Sequence, residues 1–442
     1  MPVQPEPDQQ GAGDLLFISN GHGEDLNGSL ICGAVQALNP QLLLAALPIV
    51  GGGGAYRRRG LPLLLQGRDL PSGGMVYQGW NLWKDLASGW LAQTLAQLRA
   101  ARNLGRRYRL VLSVGDHVPL LFAWLTGRPT VVFLVSTSSY YEGRLRLSRL
   151  TRWLCNRSAV RLVLCRDAFT ARDLQAQGLA KARFLGYPIM DALGAPAENA
   201  SAEPRPDPRP EPSPDPSSQQ SPELSAIPIA LLPGSRQPEA QANLVLQLQV
   251  CERLAQIAPD RSWLFEAAVV PGTVGAQFEQ QLAHLGWTIT RDAITGDVLV
   301  KGGLQVSLRS DAFAAILRRS RLVLGMAGTA VEQAVGLGKP VVQLVGRGPQ
   351  FSYAFAEAQM RLLGEAVFTV GNSPAGTREI HGAAALIVQL LADPDLPQLC
   401  HHCGLERVGL PGGSTAIAQA LLEHLEQISP PELGPIRRPA RP

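Results

Sequence analysis

The sequence predicts an α/β protein with two domains of the Rossmann type, each a parallel sheet with helices on both faces. Short apolar runs alternate with helical patterns in both halves of the chain, which indicates parallel strands joined by helical crossovers. A proline-rich segment separates two halves of similar size, which indicates two domains. Ligands of such sheets bind beyond the carboxyl ends of the strands, so we expect the domains to face each other across a cleft lined by those loops.

The composition indicates a globular protein, and it argues against a nucleic-acid partner and against a zinc site. The 442 residues are 45% apolar and 17% charged, which is typical of a chain with two or three core-forming domains. A net charge of +4 is too small to favour nucleic acid as the partner. The six scattered cysteines are typical of reduced thiols in a cytosolic protein. Cys400 to Cys403 has no second ligand pair at zinc-finger spacing, so we expect a helical surface cluster and no metal.

Changes in composition set the expected domain boundaries. Every second residue from Pro204 to Pro216 is proline, which removes the amide donors that a helix or a sheet would need. The last helix of the second domain can pack back on the first domain. The expected division is a disordered N-terminus at 1–13, a first domain at 14–194, a disordered linker at 195–226, a second domain at 227–428 and a disordered tail at 429–442.

The apolar runs predict individual strands. The expected strands are 15–18, 42–50, 109–114, 130–135 and 161–165 in the first half, and 228–232, 263–269, 322–325 and 340–344 in the second, with a helix from about 26 to 38. Several of these strands end in a loop whose residue types suit a ligand.

The first such loop contains Gly21, His22, Gly23, Glu24 and Asp25. It lacks the three-glycine spacing of dinucleotide folds, and its two acidic residues would repel a phosphate. A hydroxyl-rich ligand such as a sugar suits it better, and His22 adds a titratable group. The alternative is that the acidic pair only stabilises the start of the helix.

Asp116 follows the most apolar strand of the first half. A carboxylate at the end of a strand can act as a general base on an acceptor hydroxyl. The alternative is that Asp116 caps the next helix, with His117 packed beneath it. Tyr140 lies in a polar run after the next strand, where it can line a sugar pocket or simply pack.

Two loops of the second half favour an anionic ligand. Pro233 and Gly234 predict a tight turn in which Ser235 can cap the next helix and Arg236 offers a fork-shaped cation to a diphosphate. In the other loop, Gly328 and Thr329 allow close approach of a phosphate, and Glu332 lies one helical turn further on. A carboxylate there can accept both ribose hydroxyls.

These residues resemble the lipid-A-disaccharide synthases and, more distantly, the glycosyltransferase that forms lipid II of peptidoglycan. Leu231–Arg236 is similar to the LPGSR element of the synthases. Gly328–Glu332 is similar to their GTA…E helix, with the glutamate spaced as in the lipid II enzyme. The resemblance covers most of the chain outside the linker and tail. Further similar elements are Phe184–Pro188 with Asp191, Gly52 and Gly53 with Gly60, and Gln350–Phe351.

The resemblance implies a GT-B fold, a UDP-sugar donor such as UDP-GlcNAc, and inverting transfer without a metal or other cofactor. It also implies a lipid or glycolipid acceptor at the inner face of the membrane. By this carry-over Arg236 faces the diphosphate, Glu332 faces the ribose, and Gln350 lies on the donor side. Asp116 would then be the catalytic base.

Two departures from the family pattern concern the acceptor side. The second aspartate of the synthases is replaced by Pro119, and their SGEASGD loop corresponds to Ser19–Asp25 with His22 in it. Acceptor chemistry is therefore expected to differ, with His22 as the alternative base. Two other functions stay open: a nucleotide-sugar 2-epimerase on the same fold, and a non-catalytic relative that binds a sugar nucleotide or a lipid.

The chain shows neither a secretory signal nor a membrane span, because its first thirteen residues are polar and no run of eighteen apolar residues occurs. We expect a cytoplasmic protein that meets lipid only peripherally. One candidate for the lipid contact combines tryptophan with arginine and lysine side chains. The alternative is that the tryptophans form a buried aromatic face and the charged side chains are simply solvated. Its residues are Trp80, Trp83, Lys84, Trp90, Arg57–Arg59, Arg102, Arg106, Arg107 and Arg109.

Overall fold

The computed structural model describes residues 13–65, 90–194, 226–291, 296–348 and 350–429. The expected disorder at the N-terminus, in the linker and in the tail falls almost wholly on residues outside these ranges. The chain forms two compact units. The first is Met1–Ala192 together with Val408–Pro442, and the second is Leu193–Arg407.

The first unit contains a sheet of six parallel strands in the order β2-β1-β3-β4-β5-β6. The strands are β1 Gly13–Ser19, β2 Leu44–Pro48, β3 Tyr108–Val114, β4 Thr130–Leu134, β5 Val160–Cys165 and β6 Ala182–Arg183. The helices are α1 His22–Leu38, α2 Gly54–Arg58, α3 Trp90–Asn103, α4 His117–Leu125, α5 Arg149–Asn156, α6 Ala168–Ala176 and, near the end of the chain, α14 Gly413–Glu426.

The second unit contains a sheet of eight strands in the order β14-β13-β12-β7-β8-β11-β10-β9. The strands are β7 Ile227–Leu232, β8 Trp263–Ala268, β9 Thr288–Thr290, β10 Asp297–Lys301, β11 Leu304–Arg309, β12 Leu322–Gly325, β13 Val341–Leu344 and β14 Val367–Val370. The helices are α7 Glu239–Ile257, α8 Ala276–His284, α9 Phe313–Arg319, α10 Thr329–Gly336, α11 Tyr353–Leu363, α12 Thr377–Ala392 and α13 Leu396–Arg407.

The prediction of two parallel-sheet domains is confirmed, with one difference at an edge. All nine expected strands form, because each is an apolar run that the two helical layers bury. In the second sheet, however, β10 runs antiparallel to both of its neighbours. A tight turn at Gly302 and Gly303, both with positive φ, joins β10 to β11, so no crossover helix is needed there.

Helix α14 belongs to the first unit, where it contacts α1. The carboxylate of Asp191 accepts hydrogen bonds from the backbone N–H groups of Gly412 (2.5 Å) and Ser414 (2.7 Å), at the start of the helix. A side chain at Gly413 would lie 2.7 Å from backbone atoms of Gly186 and Tyr187. The segment from Gly186 to Asp191 therefore holds the start of this helix.

Candidate functional site

The strand order of the first sheet reverses between β1 and β3, which are direct neighbours, with Ser19 paired with Val114. Such a reversal is where open α/β sheets bind ligands, because the loops leave the sheet on opposite faces and open a crevice. The loop that starts at Gly21 and the loop that contains Asp116 are the two that leave the sheet here. Two of the sequence-predicted loops are therefore brought together.

Glu24 connects the ends of three strands at this point. A Cβ atom at Gly115, which follows β3 with φ +135°, would lie 3.3 Å from Cγ of Glu24 and 3.1 Å from Cγ of Pro119. Ser136, which follows β4, donates a hydrogen bond of 2.5 Å to Oε1 of Glu24. A glycine is needed at position 115 both for its backbone angle and for this close packing. Glu24 and Pro119 therefore both lie beside Gly115.

Asp25 faces the interior instead of the open loop. Its side chain is only 1% exposed, and Ser19 donates to its Oδ1 atom over 2.6 Å. The fully buried Tyr56 donates in turn to the Ser19 hydroxyl over 3.0 Å. Burial raises the pKa of Asp25 to about 7, with a further contribution from Glu24, while the Ser19 hydrogen bond opposes the rise. Of the two acidic residues predicted to contact an acceptor, Glu24 is the more accessible one.

Asp116 caps a helix with one of its two carboxylate oxygens, and the other oxygen takes no part in the cap. Its Oδ1 accepts from the backbone N–H of Val118 over 2.9 Å, which makes it the N-cap of α4. Its Oδ2 lies 3.7 Å from Nδ1 of His117. The side chain is 29% exposed, so a ligand can reach it. The alternative is therefore correct for the Asp116 cap, whereas the His117 side chain is 42% exposed and does not pack beneath the helix. The cap is compatible with a role of Asp116 as a base.

The remaining acceptor-side residues lie on the same edge of the sheet. Gly21 is the N-cap of α1 with φ +128°, which favours glycine, and His22 and Gly23 form the first turn. Tyr140 lies in the loop after β4, with its ring tilted by 31° against that of Phe169 and the two ring centroids 4.7 Å apart. The side chain of His22 lies outside the described residues. The backbone thus places all of these residues beyond the carboxyl ends of β1 and β4.

In the second sheet the strand order reverses between β7 and β12, which are neighbours with Leu232 paired with Gly325. The backbone N–H of Met326 donates to the Leu232 carbonyl over 2.8 Å, which continues the pairing beyond both strands. A Cβ at Gly234, which has φ +100°, would lie 3.1 Å from the Met326 carbonyl oxygen. The arginine loop and the loop that opens α10 therefore meet at one point.

Arg236 is half-buried after this turn, and Ser235 is exposed. The prediction that Ser235 caps the following helix is wrong. Helix α7 starts only at Glu239, its N-cap is Pro238, and no side chain caps it. The turn extends through Gln237 and Pro238, which carries the chain past Ser235 before the helix begins. The Ser235 hydroxyl is thus not engaged in capping α7.

Thr329 and Glu332 lie in the first turn of α10, whose N-cap is Gly328. The first amides of a helix have no partner within the helix, so they suit an anionic group such as a phosphate. The side-chain amide of Gln359 donates to the carbonyls of Ala327 (3.1 Å) and Gly328 (3.2 Å), which fixes the loop before the helix. Gln359 lies on α11, and no pattern in the sequence indicated its role.

The loop that contains Gln350 is held by a carboxylate that sequence reasoning missed. Glu239, which is 9% exposed, accepts hydrogen bonds from the backbone N–H groups of Gln350 (3.2 Å) and Phe351 (2.6 Å). Asn243, one turn further along α7, donates to the Pro233 carbonyl over 3.0 Å. Helix α7 therefore positions both the arginine loop and the Gln350 loop. A polar stripe on an otherwise apolar helix face was the available signal.

The other candidates are placed as follows. Cys400 and Cys403 point into the core from α13, with His401 and His402 exposed. All six cysteines are free and buried. Trp80, Trp83 and Lys84 of the suggested lipid contact lie outside the described residues. No helix within the described ranges has the length and apolarity needed to cross a membrane.

No protein-family model matches this sequence, and no curated protein does. The structure, however, resembles many solved ones. A Listeria monocytogenes protein provisionally named a UDP-N-acetylglucosamine 2-epimerase is 14% identical, with a TM-score of 0.53, 96% of this chain covered and 100% of that one. The glycosyltransferase of kitacinnamycin is 16% identical, with a TM-score of 0.52 and coverage of 94% and 100%.

A third similar structure is the UDP-GlcNAc 2-epimerase of Neisseria meningitidis bound to UDP-GlcNAc. It is 12% identical, with a TM-score of 0.50 and coverage of 93% and 100%. Identities this low establish a shared fold and nothing finer. The chain therefore has the GT-B fold, with two Rossmann-like α/β domains, in which sugar-nucleotide epimerases and glycosyltransferases are both found.

Proposed function

We propose that this protein is an inverting glycosyltransferase that moves a sugar from a UDP-sugar to a hydroxyl of a lipid or glycolipid. The observation that carries the proposal is the meeting of the arginine loop and the Thr329 helix at the strand-order reversal of the second sheet. An anion site and a ribose-binding carboxylate are needed side by side for a nucleoside diphosphate. The sequence resemblance to the lipid-A-disaccharide synthases supports the choice of acceptor.

In this proposal the second unit binds the donor. The guanidinium group of Arg236 contacts the diphosphate, together with the backbone amides at Gly328 and Thr329. The carboxylate of Glu332 accepts the ribose hydroxyls, and Gln350 lies beside the sugar. Glu239 and Gln359 are positioning residues, because their hydrogen bonds hold these loops without reaching the ligand.

The first unit supplies the base and the acceptor contacts. Asp116 takes the proton of the acceptor hydroxyl through the carboxylate oxygen that the helix cap does not use, and His22 is the alternative base. Glu24 supplies the second acidic group, since it lies beside Gly115 and Pro119 where the family's second aspartate would be. Gly21, Gly23 and Tyr140 complete the acceptor contacts.

The proposed reaction is a single nucleophilic displacement at the anomeric carbon of the sugar. The deprotonated acceptor oxygen bonds to the anomeric carbon from the face opposite the leaving group. The bond from that carbon to the diphosphate oxygen breaks, and UDP leaves with the electron pair. The charge of Arg236 and the amides of the helix start offset the negative charge that builds on the diphosphate.

The test is a set of UDP-sugars assayed with and without a lipid extract, using release of UDP and a labelled lipid product as readouts. Glu332→Ala should weaken UDP binding at least tenfold, because the ribose loses its acceptor of two hydrogen bonds. Asp116→Asn should retain UDP affinity and lose turnover at least a hundredfold. Equal binding and turnover in wild type and both variants would refute these roles.

A UDP-GlcNAc 2-epimerase is the second candidate, because two of the three similar structures described above carry that name. An epimerase needs no acceptor. Incubation of the protein with UDP-GlcNAc alone, followed by proton NMR of the sugar, distinguishes the two. A change of configuration at C2 without lipid would favour the epimerase, and UDP release that depends on lipid would favour the transferase. Binding without either reaction would indicate a non-catalytic relative.

A further inference from the structure

Two tryptophans lie exposed on the surface of the first unit. Trp124, at the end of α4, is 44% exposed, and Trp153, on α5, is 46% exposed. Their rings meet edge to face with centroids 6.1 Å apart. Leu150, one helical turn before Trp153, is also exposed. Aromatic side chains are usually buried in a core, so an exposed cluster of this kind indicates a binding surface.

Arginines surround this cluster. Residues 142–161 contain six arginines and a single acidic residue, Glu142. Leu145 and Leu147 pack against the core, so the alternation directs the intervening arginines outward. The guanidinium carbon of Arg157 lies 4.8 Å from the centre of the Trp153 ring. The exposed cations of this segment are Arg144, Arg146, Arg149, Arg157 and Arg161.

A recess beside Trp124 combines cations with an apolar floor. Arg128 and Arg157 line it, and Leu120 and Leu154 lie at its base. The Nε atom of Arg128 is buried and makes no hydrogen bond. Two guanidinium groups over apolar side chains fit a phosphate ester that is attached to a hydrocarbon chain.

We propose that this surface, the Trp124–Trp153 face, binds an anionic membrane, with a lipid phosphate held between Arg128 and Arg157. Exposed indoles with surrounding arginines match the polar–apolar boundary of a bilayer whose headgroups carry negative charge. A second copy of the chain is disfavoured, because two such faces would repel each other. Nucleic acid would match the charges, but it would leave the exposed aliphatic side chain of Leu150 without an apolar partner. The proposal concerns lipid binding and does not depend on the reaction proposed above.

The test is co-sedimentation of the full-length protein with vesicles of phosphatidylcholine alone or mixed with equal phosphatidylglycerol. We expect binding only to the mixed vesicles, weakened by high salt. A triple variant, Arg146→Glu with Arg149→Glu and Arg157→Glu, should bind at least a hundredfold more weakly, since each basic residue contributes about fivefold (about 1 kcal/mol). Trp124→Ala with Trp153→Ala should weaken binding about tenfold or more, because it removes two rings from the bilayer boundary.

The matched control reverses three other exposed arginines: Arg58→Glu, Arg102→Glu and Arg106→Glu. This control variant changes the net charge by the same amount, but on the basic surface that the sequence analysis singled out instead of on the Trp124–Trp153 face. It should therefore keep most of its binding to the mixed vesicles. Equal losses in the two triple variants, equal binding to neutral vesicles, or no binding would overturn the proposal. So would a wild-type dimer that the tryptophan variant converts to a monomer. Thermal melting confirms that each variant is folded, and UDP binding reports on the donor site separately.

Discussion

The buried carboxyl group of Asp25 allows a prediction whose size follows from the structure. The pKa of this group is raised from 3.8 to about 7, mainly by burial. The unfolded chain therefore releases the proton near pH 4, while the folded chain keeps it until about pH 7. Between these values the folded state binds more protons, so the free energy of unfolding falls as the pH rises. Three pH units at about 1.4 kcal/mol each give a loss on the order of 4 kcal/mol.

Asp25→Asn removes this titration and keeps the shape of the side chain. The variant and the wild type should have similar stability near pH 4, and the variant should be more stable by up to about 4 kcal/mol at pH 8. Urea unfolding, followed by circular dichroism from pH 4 to 8, measures the difference in the free energy of unfolding between the variant and the wild type. The contributions of the other titrating groups are the same in both proteins and cancel in this difference. Asp260→Asn, at an exposed position, is the control. A difference between Asp25→Asn and the wild type that stays constant from pH 4 to 8 would show that Asp25 is ionised in the folded protein.

Two further predictions concern positions that tertiary contacts constrain. Glu239→Gln should weaken nucleotide binding about tenfold without unfolding the protein, because it replaces the charged acceptor of the Gln350 and Phe351 amides with a neutral one. Calorimetric titration with UDP measures the affinity. An unchanged affinity would show that the Gln350 loop is not part of the donor site. Gly413→Ala should lower the free energy of unfolding by about 1–3 kcal/mol, because the new methyl group would lie 2.7 Å from backbone atoms of Gly186 and Tyr187. This loss is expected even though alanine normally favours a helix over glycine. Gly382→Ala, whose nearest contact is a side-chain atom at 3.3 Å, is the control, and equal melting temperatures for the two variants would contradict this packing.

The sequence alone predicted nine of the fourteen strands in the described residues and the loops that follow those nine. Runs such as 130–134 and 322–325 are mainly apolar and buried throughout, which is typical of a strand between two helical layers. Glycine and polar residues after these strands marked the candidate loops in the same way. These signals are local, because each depends on residues that are adjacent in the chain.

Only the tertiary structure decided which loops meet and which side chains are buried. The pairing of β1 with β3 and of β7 with β12 joins segments that are distant in the chain, and no local pattern specifies it. Asp25 and Glu24 are neighbours in sequence, yet one lies in the core and the other beside Gly115. The exposed pair of Trp124 and Trp153 likewise forms between two helices. Burial and contact depend on the whole packed domain, whereas strand formation depends mainly on the run of residues itself.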